Sequence, residues 1–488
     1  MSHVLVVVLG DIGRSPRMQN HAKSFADNSS VERVTLIGYP GERCMSSLEN
    51  HSKVVIDRFD LGEAPIWVQK VAFLRAAFKA FASMILLLSK LLWLPVFKII
   101  IIQNPPCVPV LVAAIIVSFL RGSKIWLDWH NLGFTMFERS SSASRISRHM
   151  ERALAPFVHE HFCVSDAMKQ WLSAEFGVNA TVLYDRPSAR FSSTAPSIQE
   201  RHDLMNRLGF IDSRIFGNLE GTDDGVSALE KTIQTYKDPN GNVHMREDGA
   251  HLLLSSTSWT ADEDFTILLD ALIKLDSKIK RNEEKYGPDI YESKRVLCVI
   301  TGKGPLKDEF LCAYQKVQSS MNKVAVQTPW LEPDDYPLLL RCADAGVCLH
   351  MSTSGLDLPM KVLDMFGSGL PVVALHYPAL PEILLDNEKG LLFEVERGEK
   401  KIGKVVGMDW DQEKLNHQED MNFTQLSLLS SPGVHGPYQS HHSLIECLEK
   451  LYCYSSGQMK LNRLRSNVVG SKQEPWEVHW TEVVGPKI

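Results

Sequence analysis

Five short apolar runs, each ending in a loop of small residues, constrain the fold of this chain more than any other feature. They read VLVVVLGDIG, KIIIIQNPP, HLLLSSTSW, KRVLCVITGKGP and AGVCLHMSTSG, and a helical pattern follows each loop. Continuous apolar runs of this length are typical of strands buried on both faces of a parallel sheet. The loops would then lie at the carboxyl edges of such sheets, where open α/β folds bind ligands.

The runs fall into two groups, which predicts an α/β protein of two Rossmann-like domains facing each other across a cleft. A chain of 488 residues is long enough for two cores of ordinary size. We expect an N-terminal Rossmann-like domain at 1–186, a linker and variable insertion at 187–249, and a C-terminal Rossmann-like domain at 250–395. A variable loop at 396–442 and closing helices at 443–488 would complete the chain.

The charge balance and the cysteines narrow the class of protein. With 52 basic and 58 acidic residues the net charge is -6, so no general polybasic character indicates nucleic acid. Nine cysteines are scattered without a CxxC pair, which argues against zinc or redox chemistry and for a reducing, cytosol-facing environment. The first strand begins almost at Met1, so we expect no signal peptide.

The stretch at 66–94, IWVQKVAFLRAAFKAFASMILLLSKLLWL, is helical in composition and places its cations on one face. Arg75, Lys79 and Lys90 share this stripe. A cationic stripe beside Phe, Leu, Ile and Trp suits a helix lying in a membrane interface; a core helix with snorkelling cations is the alternative. Because Lys90 and Pro95 interrupt the apolar run, we expect attachment to a membrane surface rather than a crossing.

The loop GDIGRSP after the first strand is the first candidate ligand site. Its glycines, Gly10 and Gly13, would let the backbone approach a ligand, and Arg14 would answer phosphate charge. The spacing does not match GxGxxG, and GxxxxGK[ST] is absent from the chain, so no nicotinamide or P-loop site is predicted. A tight strand-to-helix turn that requires glycine is the alternative.

Two loops of the second domain are candidates for binding a nucleotide diphosphate. In TGKGPLK, Gly302 and Gly304 flank Lys303 before a helix, which favours an anion, although a plain loop also fits. In SGLDLPMKVLD, Lys361 and Asp364 lie on one face of a helix, where the cation suits phosphate and the carboxylate suits ribose hydroxyls. A surface ion pair is the alternative for these two residues.

The stretch DWHN ends another strand of the first domain. Its histidine, His130, would face the second-domain loops if the two domains oppose each other. A histidine in this position is a candidate catalytic residue, and an ordinary core or surface histidine is the alternative.

The chain resembles the chitobiosyldiphosphodolichol beta-mannosyltransferase family in VVVLGDIGRSPRMQNHA, IIIQNPP, DWHNLGF, SSTSWTADEDF, ITGKGPL and SGLDLPMKVLDMFGSGLPV. The resemblance covers most of 1–186 and 250–395. It implies a GT-B fold and inverting transfer of mannose from GDP-mannose to GlcNAc2-diphosphodolichol, making the first β1,4-mannose of the N-glycan lipid precursor. It also implies the cytosolic face of the endoplasmic reticulum membrane, with other dolichol-pathway mannosyltransferases as further partners. Another lipid-linked sugar transferase of this fold and a catalytically silent membrane-associated paralogue are the alternatives.

The resemblance implies roles for the candidate residues. A single displacement needs one base for the acceptor hydroxyl, and Asp11 and His130 are the two candidates. The implied donor-binding set is Gly302, Lys303, Gly304, Ser354, Gly355, Asp357, Lys361 and Asp364. The implied acceptor-binding set is Gly10, Gly13 and Arg14. Cations of both sets and helix N-termini would neutralise the leaving diphosphate, so we expect neither a metal nor a cofactor.

Departures from the family pattern bear on these roles. Related glycosyltransferases often carry glutamate where Asp364 stands, and a basic residue where this chain has the acidic run at 262–264. Thr260 and Glu263 have the spacing of a capping box that would open the next helix. Many members also have an N-terminal membrane span, so in this chain we expect residues 66–97 to provide the anchorage.

Overall fold

Two parallel sheets, of seven and six strands, form the frame of the protein. The computed structural model describes residues 2–59, 72–106, 108–137, 141–217, 231–260, 262–287, 295–332, 334–395, 442–454, 456–471 and 474–488. The predicted pair of Rossmann-like domains is therefore confirmed. The variable loop predicted at 396–442 lies, except for its last residue, outside the described residues.

The N-terminal sheet has the strand order 3-2-1-4-5-6-7. Its strands are β1 (His3–Asp11), β2 (Arg33–Tyr39), β3 (Val54–Arg58), β4 (Ile99–Asn104), β5 (Lys124–Trp129), β6 (Glu160–Cys163) and β7 (Thr181–Val182). Because β1, β4 and β5 lie side by side, the loops GDIGRS, NPP and HNLG share one carboxyl edge.

The helices that accompany these strands in the described part of the chain are α1 (Pro16–Asp27), α2 (Ser46–Glu49), α3 (Ala72–Trp93), α4 (Val110–Arg121), α5 (Ser142–Leu154) and α6 (Asp166–Phe176). Alternate residues of β1 pack on opposite faces. Val4 and Val6 belong to the core beside α1, whereas Leu5 and Val7 belong to the core beside α3 and α4. Both faces of the strand are buried, which explains its continuous apolar run. The expected cap of α6 is also present, because Ser165 Oγ accepts from the Met168 N–H.

The described residues of the segment between the two sheets include helices and strands within the range predicted as a linker and variable insertion. These elements are α7 (Ile198–Arg207), α8 (Asp212–Phe216) and a hairpin of β8 (Thr235–Lys237) and β9 (Val243–Met245). Ser197 and Glu200 form a capping box that starts α7. Leu204 and Ile233 are buried in the core of the second domain, so these apolar side chains hold the segment in place despite its polar composition.

The C-terminal sheet has the strand order 12-11-10-13-14-15. Its strands are β10 (His251–Ser256), β11 (Val296–Thr301), β12 (Val324–Gln327), β13 (Ala345–Cys348), β14 (Val372–Leu375) and β15 (Gly390–Phe393). Its helices are α9 (Phe265–Tyr286), α10 (Lys307–Gln318), α11 (Asp335–Cys342) and α12 (Met360–Gly367).

The last three helices divide between the domains. α13 (Leu444–Tyr452) and α14 (Gly457–Gly470) bury side chains in the second domain, whereas α15 (Trp476–Val483) returns to the first. Trp476 and Trp480 of α15 are buried beside α1, in the same core as Val4 and Trp126. The polypeptide therefore connects the domains twice.

Direct contacts also join the domains. The carboxylate of Glu382, in the second domain, accepts the backbone N–H groups of Asp166 and Ala167 at the first turn of α6, at 2.8 Å each. An acidic side chain is favourable at a helix N-terminus. Leu356, beyond β13, is buried among the apolar side chains of the first domain.

The predicted membrane-facing helix coincides in part with α3. Lys90 does not point away from the protein: its Nζ lies 2.6 Å from Asp57 Oδ1, beside the last residues of β3. The side chains of Arg75 and Lys79, and residues 60–71, lie outside the described residues. Within the described ranges, no helix combines the length and apolarity needed to cross a bilayer.

Candidate functional site

Asp11, predicted as a candidate base, holds the GDIGRS loop in shape. Its Oδ1 accepts the N–H of Gly13 at 2.9 Å, and its Oδ2 accepts the N–H of Glu42 at 3.0 Å. Both carboxylate oxygens are therefore engaged by the backbone. Asp11 therefore has a structural role in the loop. Its role as a base stays a prediction.

The two glycines of this loop differ in the space around them. A Cβ on Gly13 would lie 2.4 Å from the backbone oxygen of Glu42, whereas the nearest atom to a Cβ on Gly10 is 3.9 Å away. Gly13 is thus explained by close packing within the protein, without a ligand. The room beside Gly10 leaves space for one. Arg14 has 74% of its side chain exposed, and its ion pairs with Asp11, at 3.5 Å, and with Glu42, at 3.4 Å, face solvent, so an anion could compete for it.

At the end of β5, Asp128 is the centre of a buried charged network that the sequence did not reveal. Arg17 of α1 donates Nε to Asp128 Oδ2 at 2.7 Å and Nη2 to Oδ1 at 2.8 Å. The same arginine also contacts Asp185 at 3.0 Å. Burial by itself would raise the pKa of Asp128, but Arg17 and hydrogen bonds from two histidines hold it well below its usual range.

His130, the second predicted base, is one of these histidines. Its Nε2 lies 2.8 Å from Asp128 Oδ2, and 20% of its side chain is exposed. An ionised carboxylate can only accept, so Nε2 carries the proton and Nδ1 of the neutral ring is the acceptor. Among the described residues, Nδ1 has no hydrogen-bond partner. This is the arrangement expected of a histidine base oriented by a carboxylate.

In the second domain, the loop after β13 is organised around Asp357. Ser352 and Ser354 both donate to Asp357 Oδ1. Gly355 has a φ of +73°, a conformation that favours glycine. The predicted donor residues Ser354, Gly355 and Asp357 therefore form one compact turn.

His350, which sequence reasoning missed, lies between two carboxylates beside this turn. Its Nδ1 is 3.3 Å from Asp262 and its Nε2 is 3.4 Å from Asp357. Burial opposes protonation, but the hydrogen bonds to the two carboxylates outweigh it and raise the pKa of His350 to about 9. The ring is therefore a cation at neutral pH.

Lys361 pairs with Glu263. The surface ion pair of Lys361 with Asp364, considered as the alternative, is not formed. Its Nζ lies 2.6 Å from Glu263 Oε1, and Thr257 Oγ1 donates to Glu263 Oε2 at 2.6 Å. The expectation that Glu263 completes a capping box is wrong, because Asp264 caps α9 by accepting the Thr266 N–H. Glu263 turns inward instead, where Lys361 compensates its charge.

Asp364, one turn further along α12, has no such partner among the described residues. No described residue makes a hydrogen bond to its carboxylate. Burial raises the pKa of Asp364 to about 7, against the attraction of Arg190. A largely buried carboxylate without hydrogen bonds fits a group that awaits ligand hydroxyls.

The TGKGP loop packs tightly on the end of β10. A Cβ on Gly302 would lie 1.8 Å from the Thr257 oxygen, and one on Gly304 would lie 1.7 Å from the Ser258 oxygen. Both glycines are required by this close approach of two chain segments. Lys303 is exposed, with its Nζ 3.6 Å from the centre of the Trp330 ring.

One side chain joins the two halves of the site. Asn131, next to His130, donates to Asp357 Oδ1 at 3.1 Å and to Thr353 Oγ1 at 3.2 Å. A series of contacts and neighbouring residues therefore links the base candidate to the donor candidates. Asn131, which follows His130, contacts Asp357, and His350 joins Asp357 to Asp262. Glu263, which follows Asp262, contacts Lys361. Arg14 and Gly10 lie on the same edge of the first sheet but outside this series.

Comparisons with known proteins agree with this architecture. Residues 283–406 match the family model described as "Glycosyl transferases group 1". Anabaena HepE, solved in complex with UDP and glucose, shares the fold with a TM-score of 0.56 at 13% identity, covering 100% of this chain and 99% of that one. The predicted GT-B fold is thereby confirmed.

Relatives of higher identity indicate the family. The chitobiosyldiphosphodolichol beta-mannosyltransferase of Pongo abelii is 34% identical over 491 residues, covering 100% of this chain and 92% of that protein. The UDP-glycosyltransferase TURAN of Arabidopsis thaliana is 37% identical over 409 residues, covering 80% of this chain and 85% of that protein. Because it is 34% identical to a named member over its entire length, this chain belongs to the chitobiosyldiphosphodolichol beta-mannosyltransferase family of glycosyltransferases.

Proposed function

We propose that this protein transfers mannose from GDP-mannose to GlcNAc2-diphosphodolichol and forms a β1,4 linkage with inversion. The observation that carries the proposal is the 34% identity, along the entire chain, to a relative whose name states the acceptor and the sugar. The pairing of His130 with a buried aspartate supports an active enzyme rather than a silent paralogue.

In the proposed reaction His130 is the general base. Its Nδ1 accepts the proton of the acceptor hydroxyl while the hydroxyl oxygen bonds to C1 of mannose. The bond from C1 to the diphosphate breaks on the opposite face, and its electron pair leaves with GDP. A single displacement of this kind inverts the configuration at C1.

The second domain would bind the donor. Lys303 and Lys361 are both held by partners that a diphosphate could replace, Trp330 for one and Glu263 for the other. The unbonded carboxylate of Asp364 would accept ribose hydroxyls. His350 adds a fixed positive charge beside the turn at Asp357, where charge develops on the leaving group.

The GDIGRS loop would bind the acceptor diphosphate. Its support is the exposure of Arg14 and the open space beside Gly10. Changing Arg14 to Ala should lower kcat/KM for the acceptor, and Arg14→Lys should restore only part of it, since lysine cannot make a bidentate contact.

The test is a transfer assay with purified protein and a synthetic GlcNAc2-diphosphate lipid. We expect mannose to pass from GDP-mannose, and a β-mannosidase to release it from the product. The name of the Arabidopsis relative gives UDP-sugars as the second donor class to be assayed in parallel. Transfer from a UDP-sugar alone would contradict the proposed donor while leaving a glycosyltransferase.

The proposed location is the cytosolic face of the endoplasmic reticulum membrane, with the ends of α3 and α4 on the lipid surface. Trp93 is 90% exposed and Phe119 is 79% exposed, an unusual exposure for large apolar side chains. Arg121 donates to the backbone oxygens of Leu91 and Leu94, so the two helix ends are adjacent. Together they form one apolar patch, suited to a membrane interface.

Vesicle flotation tests this location. Trp93→Glu and Phe119→Glu should each reduce binding to phosphatidylcholine–phosphatidylserine vesicles. Met459→Glu changes a 69% exposed apolar side chain of α14 and serves as the matched control. Equal binding of all three variants would contradict docking through this patch.

A further inference from the structure

The network around Asp128 reaches further than the pair with His130. Asp128 is completely buried, and its Oδ2 also accepts from His21 Nε2 at 3.1 Å. Two histidines therefore share one carboxylate oxygen. Whichever of them takes up a proton draws on the same negative charge.

The structure shows which histidine is kept neutral. Trp480 of α15 donates its indole N–H to His21 Nδ1 at 3.0 Å. An indole nitrogen can only donate, so Nδ1 of His21 must be unprotonated and Nε2 must carry the proton. Burial in addition lowers the pKa of His21. His130, by contrast, is partly exposed, and its Nδ1 has no hydrogen-bond partner in the described part of the chain.

We propose that Asp128 is the positioning residue of His130, and that Trp480, acting through His21, reserves the charge of Asp128 for it. The proposal rests on His130 being the base of the proposed function. Asp128 fixes the His130 tautomer that presents Nδ1 to the acceptor hydroxyl, and it stabilises the imidazolium that forms. The helix contributed by the end of the chain thereby becomes part of the support for the base.

Several charged or titratable groups face this cluster. Arg17 and His21 project from α1, Asp128 from β5, Cys163 from β6 and Asp185 from the segment after β7. Asp357 lies across the cleft, linked through Asn131. Among the described residues, Asp128 is the carboxylate that contacts both histidines, whereas Asp185 contacts Arg17.

The first experiment compares Asp128→Asn with Asp185→Asn. Both variants remove a carboxylate from Arg17, but Asp185 makes no contact with His130, so the second variant is the matched control. Asp128→Asn should lower kcat by about 100-fold or more, with the donor KM unchanged, because the amide favours the wrong tautomer. The acid limb of its kcat–pH profile should also move to lower pH. Equal kcat–pH profiles in two folded variants would overturn the proposal.

A second comparison decides the matter if Asp128→Asn does not fold. Trp480→Phe removes the indole N–H that reaches His21, and Trp476→Phe removes one from the same helix that donates to Ser24 Oγ at 3.0 Å. We expect Trp480→Phe to lower kcat about fivefold, the equivalent of one hydrogen bond, and Trp476→Phe to leave it unchanged. Superimposable kcat–pH profiles for these two variants would contradict a role for Trp480.

A readout without substrate separates this proposal from the proposed function. In protein labelled at histidine Cε1, the NMR signal of His130 should titrate at lower pH in Asp128→Asn than in Asp185→Asn. If Asp128→Asn does not fold, the same difference is expected between Trp480→Phe, at lower pH, and Trp476→Phe. That shift would stand even if wild-type protein transferred no mannose, which would count against the proposed function alone. Identical His130 titrations in the compared variants would overturn the positioning role itself.

Discussion

The two carboxyl edges that meet at the cleft are built in contrasting ways. At the first-domain edge the charges that contact His130 are buried: Arg17 and Asp128 pair with each other away from solvent, whereas 20% of the His130 side chain is exposed. At the second-domain edge each lysine has one partner that a ligand could replace: Lys303 lies over the exposed ring of Trp330, and Lys361 of α12 pairs with the carboxylate of Glu263. Buried partners suit a base, which must hold its proton on one nitrogen. Replaceable partners suit lysines that must release one contact to bind a ligand, and in this sense we call the second-domain edge exchangeable.

Replacing the proposed base, His130, should produce the largest loss of kcat and is the most direct test of the difference between the two edges. We expect His130→Gln to lower kcat by about 10²–10⁴-fold, the usual contribution of general base catalysis, with little change in Tm because the side chain reaches the cleft. Steady-state kinetics with both substrates, beside thermal melting, measure this. An unchanged kcat would contradict His130 as the base and leave Asp11 as the remaining candidate.

The pair of Lys361 and Glu263 tests whether the second edge is exchangeable. Lys361→Ala leaves the buried Glu263 uncompensated and should destabilise the protein by about 3 kcal/mol. Adding Glu263→Gln should restore most of that stability but not the donor KM, which we expect to rise in both variants. Denaturant unfolding and donor kinetics measure the two effects separately. If the double variant also regained the wild-type KM, Lys361 would be a structural cation only.

Asp364 offers a pH-dependent test of the same edge. Its pKa of about 7 in the folded protein lies above the unfolded value, so the buried carboxylate destabilises the protein increasingly as the pH rises from about 4 through 7. Asp364→Asn should therefore raise Tm at pH 8 and change it little near pH 4, while weakening donor binding at pH 8. A Tm gain that did not depend on pH would show that burial of the carboxylate is not the cause.

The smallest effect separates the glycines of the GDIGRS loop. Gly13→Ala should destabilise the protein by about 1–3 kcal/mol, because the new Cβ overlaps the Glu42 backbone. Gly10→Ala should leave Tm close to wild type and alter acceptor kinetics if the loop binds the acceptor. Equal Tm values for the two variants would mean that the turn relaxes and that packing does not explain Gly13.

The strands and the position of His130 could be predicted because both depend on local sequence. A strand buried on both faces is continuously apolar, and a side chain directly after it lies at the carboxyl edge. The partners of these residues could not be predicted in the same way. His21 meets Asp128 across 107 positions and Trp480 across 459, and Glu263 meets Lys361 across 98. Such contacts are set by tertiary packing, and periodicity and motif spacing carry no information about them.

Short-range signals failed where two local roles competed for one residue. Glu263 has the spacing of a capping residue, yet Asp264 caps the helix and Glu263 is needed by Lys361. In the segment at 187–249, polar composition concealed a few apolar residues, such as Leu204 and Ile233, that suffice to anchor it. In both cases long-range contacts outweighed the local pattern.

The return of α15 to the first domain has a consequence for biosynthesis. Trp476 and Trp480 fill the core that also contains Val4 and Trp126, although they are separated from those residues by the whole second domain. During translation the first domain emerges early but must wait for these tryptophans before its core can close. A chain that stops before α15 would leave these apolar side chains of the first domain exposed, so folding of the N-terminal domain depends on residues that are synthesised after the second domain.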